Sequence, residues 1–568
     1  DHLRTMHIQH ATIGADLENC YDSVAHAVAA LGMRSFGVRA TAIAVFLSCY
    51  QTMQFWLKTA YGVAKEPYGS TAENPFSSLL QGSGLAPWTF LCVSTLMINS
   101  YKENGHGAEY LSPITLQTIK LAAAMFVDDT DLFFSGERGM TDEDFLSMVQ
   151  EGINDWAKTV ICTGGNIKII KSHAKVSVPM WDRGHCRPKS IHHLPVKSFT
   201  IPQRDGTIKA VKILNYSTAM KSLGVKFGGD GKKPKDHLVW KGEQGATWTN
   251  NLRSKSFLTA RDGWKSLNTQ LKPRLEFGLV AVCAPPKDLE ELLGKIHHDA
   301  LSPLGFNQKI YTELRTAHAK YQGMGMSDLN NSCMEFKVHL MQEYWNKDDC
   351  LGKMIRLCYE TFLVDVGLGG DVFCKDYEKL HDLAQSCWFE HLWRLCDFLQ
   401  VKVILDQSHH AQPVRQNDRC FMDVIIEDGR FKGDTLKTIG TCRKYKQIHM
   451  MSCLVKCDGR EIRPDVLDDQ EGQSLRQFPQ EKPTPAMLST WNEAIASLAS
   501  DRVNGKMCLP SPLGRFLREP PRHDGWYSST NEYTLYHDTG QATHTVYEKV
   551  KESSTRQTRG TSNTYRKL

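Results

Sequence analysis

Two adjacent carboxylates, Asp128 and Asp129, are the residues in this sequence best placed to do chemistry, because apolar residues lie on both sides of them. Residues 122–127 lead into the pair and residues 132–134 lead out of it. Apolar segments of this length indicate two buried strands, with the acidic pair at the tight turn between them. Carboxylate oxygens are the ligands that Mg²⁺ prefers. An ordinary polar turn has the same composition, so this stretch alone leaves both interpretations open.

A third carboxylate, Asp16, ends the apolar run 11–15 and is therefore predicted to lie at the end of a core strand. Asp22 and Ser23 follow as candidate N-caps for a helix that runs to Met33. The spacing places one more acid at the rim of the predicted sheet.

The stretch Gln81-Gly82-Ser83-Gly84 precedes Pro87 and a new apolar face. Glycine lets a backbone approach a ligand closely, and proline is favoured in the first turn of a helix. We therefore predict a ligand-facing loop with a helix starting near Pro87, while a simple loop before a helix stays open.

The other patterns in the first part of the chain are mixed. They predict helices over about 40–53 and over 142–162 (capped by Thr141), a strand over 174–178 and a hairpin over 223–229. This order of elements is typical of an α+β domain with a small antiparallel sheet backed by helices. Asp16 and Asp128 would then end neighbouring strands on one rim.

From Trp248 the pattern becomes helical, and residues 253–274 carry six basic residues against one acid, Asp262. The basic residues are Arg253, Lys255, Arg261, Lys265, Lys272 and Arg274. A basic helical face can follow phosphate groups, although a merely solvated face has the same composition. The first four are the candidate nucleic-acid contacts.

Composition sets the limits for these hypotheses. A chain of 568 residues with 41% apolar residues should form several domains, and a net charge of +5 leaves nucleic-acid binding to local patches. The 17 cysteines are scattered, which is typical of reduced intracellular thiols. No apolar run reaches about 18 residues, so we predict no membrane span.

The motifs in this order resemble the palm of reverse transcriptases encoded by retroelements without long terminal repeats. The matching series is Asp16 with Tyr21, then Gln81-Gly82, then Phe126-Val127-Asp128-Asp129, then Gly164-Gly165 with Lys171. The hairpin at 223–225 looks like the next palm motif. The helices from Trp248 and the segment 321–326 look like the thumb and the region after it. The resemblance covers about 10–345 well and the remainder loosely.

This resemblance implies nucleotidyl transfer with two Mg²⁺ ions, for which Mn²⁺ could substitute. Asp16 and Asp128 match the carboxylates that bind both ions, and Asp129 matches a third, less essential one. The carbonyl of Leu17 would complete the shell of one ion. Lys171 matches a lysine near the departing pyrophosphate, a candidate general acid, and Lys168 competes for that role.

The resemblance also implies how the nucleotide is bound. Tyr21 matches the aromatic residue that stacks beneath the incoming sugar and blocks a 2′-hydroxyl. Gln81 and Gly82 match the loop that contacts the incoming nucleotide and the template. The implied partners are an RNA template, a DNA primer and deoxynucleotides, with no membrane, in the cytoplasm and/or the nucleus.

Four regions are predicted on this basis. They are a palm with truncated fingers (1–240), a helical thumb or connection (241–400), a small mixed region with a strand at 421–426 (401–480), and a segment with a linker and a basic, disordered tail (481–568). Only 15 residues precede Asp16, so we expect the fingers region to be missing here.

Two other functions stay open. A viral-type polymerase that copies RNA would use a second aspartate at the position of Asp22. The helix after Ser83-Gly84 lacks a threonine and an asparagine at the spacings of that class, and Val127 replaces the glycine before its aspartate pair. The other alternative is a catalytically inactive retroelement remnant that binds nucleic acid.

Overall fold

The computed structural model describes most of the chain. The described ranges are 1–69, 71, 78–80, 82–182, 185–229, 234–254, 258–326, 328–405, 409–456, 458–472, 480–499, 501–503 and 505–514, with the strands at 533–538, 543–549 and 565–567. Two predicted site residues, Gln81 and Lys255, lie outside them, as does most of the predicted tail beyond residue 550.

The strands are short outside one central sheet. In chain order they are β1 (His10–Asp16), β2 (Gln54–Phe55), β3 (Lys58–Thr59), β4 (Gly62–Val63), β5 (Tyr68–Gly69), β6 (Ala108–Leu111), β7 (Thr118–Leu121), β8 (Ala123–Phe126), β9 (Asp129–Ser135), β10 (His173–Ser177), β11 (Pro179–Asp182), β12 (His185–Pro188), β13 (Ser198–Pro202), β14 (Ile208–Leu214), β15 (Met220–Ser222), β16 (Val225–Phe227), β17 (Asp501–Val503), β18 (Lys506–Cys508), β19 (Tyr533–Asp538), β20 (Thr543–Lys549) and β21 (Tyr565–Lys567).

Helices make up most of the rest. They are α1 (His2–Thr5), α2 (Cys20–Ser23), α3 (His26–Ser35), α4 (Ala40–Gln51), α5 (Ala86–Glu103), α6 (Asp142–Cys162), α7 (Pro234–Ser254), α8 (Ala260–Ser266), α9 (Lys272–Glu276), α10 (Pro286–Leu301), α11 (Thr312–Thr316), α12 (Leu329–Tyr344), α13 (Cys350–Val366), α14 (Tyr377–Leu380), α15 (Trp388–Phe398), α16 (Phe421–Asp428), α17 (Gly433–Tyr445), α18 (Pro464–Leu467) and α19 (Pro485–Leu498). No helix in the described ranges is both long enough and apolar enough to cross a membrane.

The central sheet has the order β13-β14-β10-β1-β9-β8, and β1 pairs antiparallel with both β9 and β10. Along β1 the residues Ala11, Ile13 and Ala15 are buried in one core with side chains of α3, α5 and α6. Successive strand residues point to opposite faces, so Asp16 belongs to the other face of the sheet. This mixed architecture confirms the predicted α+β class.

Helix α6 begins and ends where the sequence predicts. Thr141 is its N-cap, and the Thr141 hydroxyl accepts a hydrogen bond from the Asp144 N–H (3.1 Å). Phe145 and Trp156 on its inner face are fully buried. A strong cap and a regular apolar stripe therefore define this helix locally.

Two predicted elements are wrong. The segment 421–426 is not a strand but belongs to helix α16, whose buried residues Phe421, Met422 and Ile425 share one helical face. The helix predicted to start at Asp22 or Ser23 begins at His26 instead. The Ser23 hydroxyl bonds back to preceding carbonyls, which takes it away from the role of N-cap.

A second, larger core begins with α7 and extends to the region of residue 513. It contacts the first region through Glu360 on α13, whose buried carboxylate accepts hydrogen bonds from Ser112 and Thr115. Helix α7 crosses residue 240, and the division into four regions stays a prediction.

Candidate active site

The two strand-end aspartates face each other across neighbouring strands. Asp16 at the end of β1 and Asp129 at the start of β9 are directly opposed in the antiparallel register. Asp128 lies in the preceding turn, and its carbonyl accepts a hydrogen bond from the Leu17 N–H (3.0 Å). Val127 makes this turn tight by adopting a left-handed φ of 58°. The structure therefore brings Asp16, Leu17, Asp128 and Asp129 together on one rim.

Lys171 is the cation of this rim. Its Nζ lies 3.1 Å from Oδ2 of Asp16, although the lysine side chain is 56% exposed. The backbone N–H of Lys168 donates to the Asp16 carbonyl (2.8 Å), which ties the loop before β10 to the end of β1. Of the two competing lysines, Lys171 is the one that reaches the carboxylate.

A glycine turn holds this loop in place. Gly164 has a φ of 95°, and a Cβ there would lie 2.4 Å from the Ser23 carbonyl oxygen. Only glycine fits both the backbone conformation and the contact. The predicted Gly-Gly turn thus positions the segment that carries Lys171.

The rim holds like charges close together. Burial raises the pKa of Asp129, and the neighbouring Asp128 and Asp16 raise it further, while Lys171 opposes them. Burial and nearby carboxylates also raise the pKa of the Cys20 thiol to about 12. Negative charge at this rim therefore exceeds what Lys171 compensates.

A fourth carboxylate, Asp131, lies on the same face and was missed from the sequence. It follows Asp129 by two residues on β9 and is opposite Gly14 of β1. Burial raises its pKa to about 6, helped by Asp129 and opposed by Lys175. The alternation of a strand, which places residues i and i+2 on one face, could have identified it.

The residue types of the rim fit a hard divalent cation, because three carboxylates lie at adjoining strand ends. Among the described residues, no group of three or more His, Cys, Asp or Glu side chains is arranged closely enough to hold a metal ion. The Asp16 carboxylate instead pairs with Lys171. The residue types and their placement fit, while the side chains as they stand form an ion pair.

Tyr21 lies five residues after Asp16, and its carbonyl accepts a hydrogen bond from the Leu79 N–H (3.0 Å), three residues before Gly82. The half-buried Tyr21 ring packs edge-on against Phe90 of α5, with 5.6 Å between ring centroids. The pKa of Tyr21 is raised by burial, by Cys20 and by Asp128. Gly82 is exposed with a φ of 99°, and a Cβ there would meet nothing within 4 Å. Its backbone is therefore open to a ligand.

The predicted basic residues separate into two kinds. Arg253 donates to the Asp299 carbonyl (2.8 Å) and pairs with its carboxylate (3.4 Å), so it already has a protein partner. Arg261 and Lys265 on α8 are exposed. Lys265 also lines a groove of about 780 Å³ between α7 and α8.

A lysine cluster at the hairpin β15–β16 and helix α7 was not predicted. The Nζ atoms of Lys221, Lys226 and Lys241 lie 5.1, 5.6 and 4.9 Å from the Trp240 ring centroid. Lys221 and Lys226 are directly opposite each other across the hairpin. Like charges in that arrangement repel. The Lys241 amine donates a hydrogen bond to the Arg274 carbonyl, so its partner is a neutral group and not an acid.

This cluster is partly buried. Lys241 is 2% exposed, and burial together with Lys221 lowers its pKa to about 8. The fully buried His237 has a pKa lowered to about 4 by burial and by Lys241 and Lys226. The Nε2 atom of His237 has no hydrogen-bond partner among the described residues. Because Lys241 is buried and its amine already donates to a carbonyl, Lys221 and Lys226 are the members of the cluster that an anion could meet.

Comparisons with known proteins do not assign this chain to a family. No protein-family model and no curated protein matches the chain. Among the solved structures that align with it, two are titled as telomerase in complex with a TWJ fragment of telomeric RNA. That of Candida albicans is 10% identical over 62% of this chain and 47% of its own, with a TM-score of 0.23. That of Candida tropicalis is 12% identical over 61% and 49%, with a TM-score of 0.21.

The chain thus spans about half the length of these two telomerases. TM-scores of this size do not establish a common fold. The functional interpretation therefore depends on the residues of this chain.

Proposed function

We propose that the chain is the palm and thumb of an RNA-directed DNA polymerase from a retroelement of the type without long terminal repeats. The observation that carries the proposal is the opposition of Asp16 and Asp129 across β1 and β9, with Asp128 in the adjoining turn. Three acids at one strand-end rim are the donor set of enzymes that transfer nucleotides with two metal ions.

In this proposal Asp16, Asp128 and the Leu17 carbonyl would hold two Mg²⁺ ions, with Asp129 as a supporting ligand. The bound ions would supply activation of the primer 3′-hydroxyl and neutralise charge on the pyrophosphate. Lys171 shields Asp16 in the absence of metal. In this proposal the Lys171 ammonium group would be the general acid that donates a proton to the departing pyrophosphate.

The nucleotide would lie between the rim and α5. Tyr21, held by Phe90, would form the floor beneath the sugar and exclude a 2′-hydroxyl. Gly82 would let the backbone approach the base pair. An RNA template and a DNA primer would bind beside the rim, inside the cell, in the cytoplasm and/or the nucleus.

Metal-dependent primer extension tests this function. The wild-type chain should extend a DNA primer on an RNA template with Mg²⁺ or Mn²⁺, and Asp128→Asn should abolish extension. Tyr21→Ala should raise ribonucleotide incorporation relative to deoxynucleotide incorporation. Extension that survives Asp128→Asn would exclude the assigned rim.

A second candidate function is an inactive remnant that binds nucleic acid. The ion pair between Lys171 and Asp16, and the lack of a three-ligand group among the described residues, favour it. If the chain is such a remnant, it should bind an RNA–DNA duplex yet show no primer extension with Mg²⁺ or Mn²⁺. The two functions are therefore separated by the same assay.

A further inference from the structure

Residues 307–326 form a compact loop between α10 and α12 that the proposed chemistry does not use. The Met324 N–H donates to the Leu314 carbonyl (2.9 Å), which closes the loop on itself. Gly323 packs so closely on Ala317 that a Cβ would lie 2.1 Å from its carbonyl oxygen. Compact loops of this kind are frequently functional.

This loop turns its large apolar side chains outward. Tyr311 is 81% exposed, Tyr321 is 74% exposed and Leu314 is 45% exposed, whereas Met326 is buried and anchors the end of the loop. Exposed aromatic groups on an ordered loop mark a binding surface more often than an isolated exposed residue does.

The charges around the two rings are mostly positive. Lys309 and Lys320 are exposed, and the Lys320 Nζ lies 5.7 Å from the centroid of the Tyr321 ring. Glu313 is the one acid in the sequence from 307 to 326. Aromatic rings with adjacent lysines are the combination that binds single-stranded nucleic acid, because bases stack on the rings and phosphates meet the cations.

The loop also adjoins the basic helix α8. The ring of Phe306, which precedes the loop, packs edge-on against Trp264 of α8 with 5.8 Å between centroids. Helix α8 carries Arg261 and Lys265, both exposed. A strand that contacts these residues can therefore continue onto the loop.

We propose that the loop 307–326 binds a single-stranded segment of nucleic acid, with unpaired bases on Tyr311 and Tyr321 and phosphates at Lys309 and Lys320. A duplex hides the faces of its bases inside the helix, so it cannot stack on these rings. The inference takes from the proposed function only the expectation that a nucleic-acid strand lies along α8.

Binding of 20-nucleotide oligo(U) and oligo(dT), measured by fluorescence anisotropy with the full chain and without divalent metal or nucleotides, tests the proposal. The double variant Tyr311→Ala/Tyr321→Ala should lose about tenfold or more in affinity for both single strands. Its affinity for a duplex of the same length should change by less than about twofold. Tyr311→Phe/Tyr321→Phe should restore binding, because phenylalanine keeps the stacking face.

Phe398→Ala, which removes an exposed aromatic ring from the end of α15, is the matched control and should bind as the wild type does. Equal losses for single strand and duplex, or no loss at all, would overturn the proposal. Because the assay omits catalysis, its failure leaves the primer-extension result untouched. Conversely, a chain that fails to extend a primer can still bind single strands through this loop, so the two results are independent.

Discussion

The acidic rim and the lysine cluster carry opposite charges, and each holds side chains of like charge close together. At the rim, burial and the neighbouring Asp128 and Asp16 raise the pKa of Asp129, with Lys171 as partial compensation. In the cluster, Lys241 loses proton affinity to burial and to Lys221. Each region holds like charges together at a cost to folding, and each is therefore better suited to a ligand than to the protein alone. We propose metal ions as the ligands of the first region and phosphates as the ligands of the second.

The largest expected effect tests whether the rim is catalytic. Asp16→Asn should reduce primer extension by roughly a thousandfold or more, because a bridging carboxylate is lost. Asp22→Asn, which changes the exposed acid six residues later, is the matched control and should retain activity within a few-fold. A greater loss from Asp22→Asn than from Asp16→Asn would favour the viral-type alternative.

The next effect concerns Asp131, which extends the acidic face. Its native carboxyl keeps a proton up to about pH 6, whereas the unfolded chain releases that proton near pH 3.8. The unfolded state thus binds fewer protons between these values, so this contribution to stability falls as pH rises through that window. Asp131→Asn should stabilise the fold at pH 7.5 by roughly 1–3 kcal/mol and much less at pH 4.

Urea unfolding of both proteins at pH 4, 5, 6 and 7.5 measures this difference. The subtraction cancels the distant titrating groups, whereas Asp129 and Lys175 interact with Asp131 and contribute to the measured difference. A pH-independent difference between wild type and variant would mean that Asp131 is not buried in the acidic face.

The lysine cluster should respond to salt. Lys221→Ala/Lys226→Ala should weaken duplex binding by about tenfold and flatten the slope of log affinity against log salt by roughly two. Lys379→Ala, whose amine is exposed and paired with Asp376 at 2.6 Å, is the control and should leave the slope unchanged. Equal slopes for all three proteins would remove the cluster from the nucleic-acid interface.

The smallest effect separates the basic residues of the predicted thumb. Arg261→Ala/Lys265→Ala should lower the salt slope by between one and two. Arg253→Ala should lower it by less than one, since Asp299 already neutralises that guanidinium. Binding isotherms at five salt concentrations compare the variants, and a steeper loss for Arg253→Ala would reverse this ranking.

The sequence predicts the rim better than it predicts the cluster for a physical reason. Asp16, Asp128 and Asp129 each follow an apolar strand, so local pattern and antiparallel pairing place them together. The lysines are brought together by the contact of a hairpin with α7, which no local pattern reveals. Only the pairing of Lys221 with Lys226 across the turn offered a signal.

The same distinction between local pattern and distant contact explains which helices and strands are predicted correctly. Helix α6 follows from the Thr141 cap and a regular stripe, whereas residues 421–426 carry mostly apolar side chains whose spacing suits either structure. In the helix that this segment forms, Phe421 packs against Trp491 of α19, with 5.2 Å between ring centroids. That contact joins residues 70 positions apart and is invisible to a local pattern.

The central claim is that the rim binds divalent cations, and Mn²⁺ binding followed by electron paramagnetic resonance tests it most directly. The wild-type chain should bind Mn²⁺, and Asp128→Asn should lose that binding. Lys171→Gln should bind Mn²⁺ more tightly, because the cation paired with Asp16 is gone. Unchanged Mn²⁺ binding in Asp128→Asn, or none in the wild type with bound primer–template, would contradict the account.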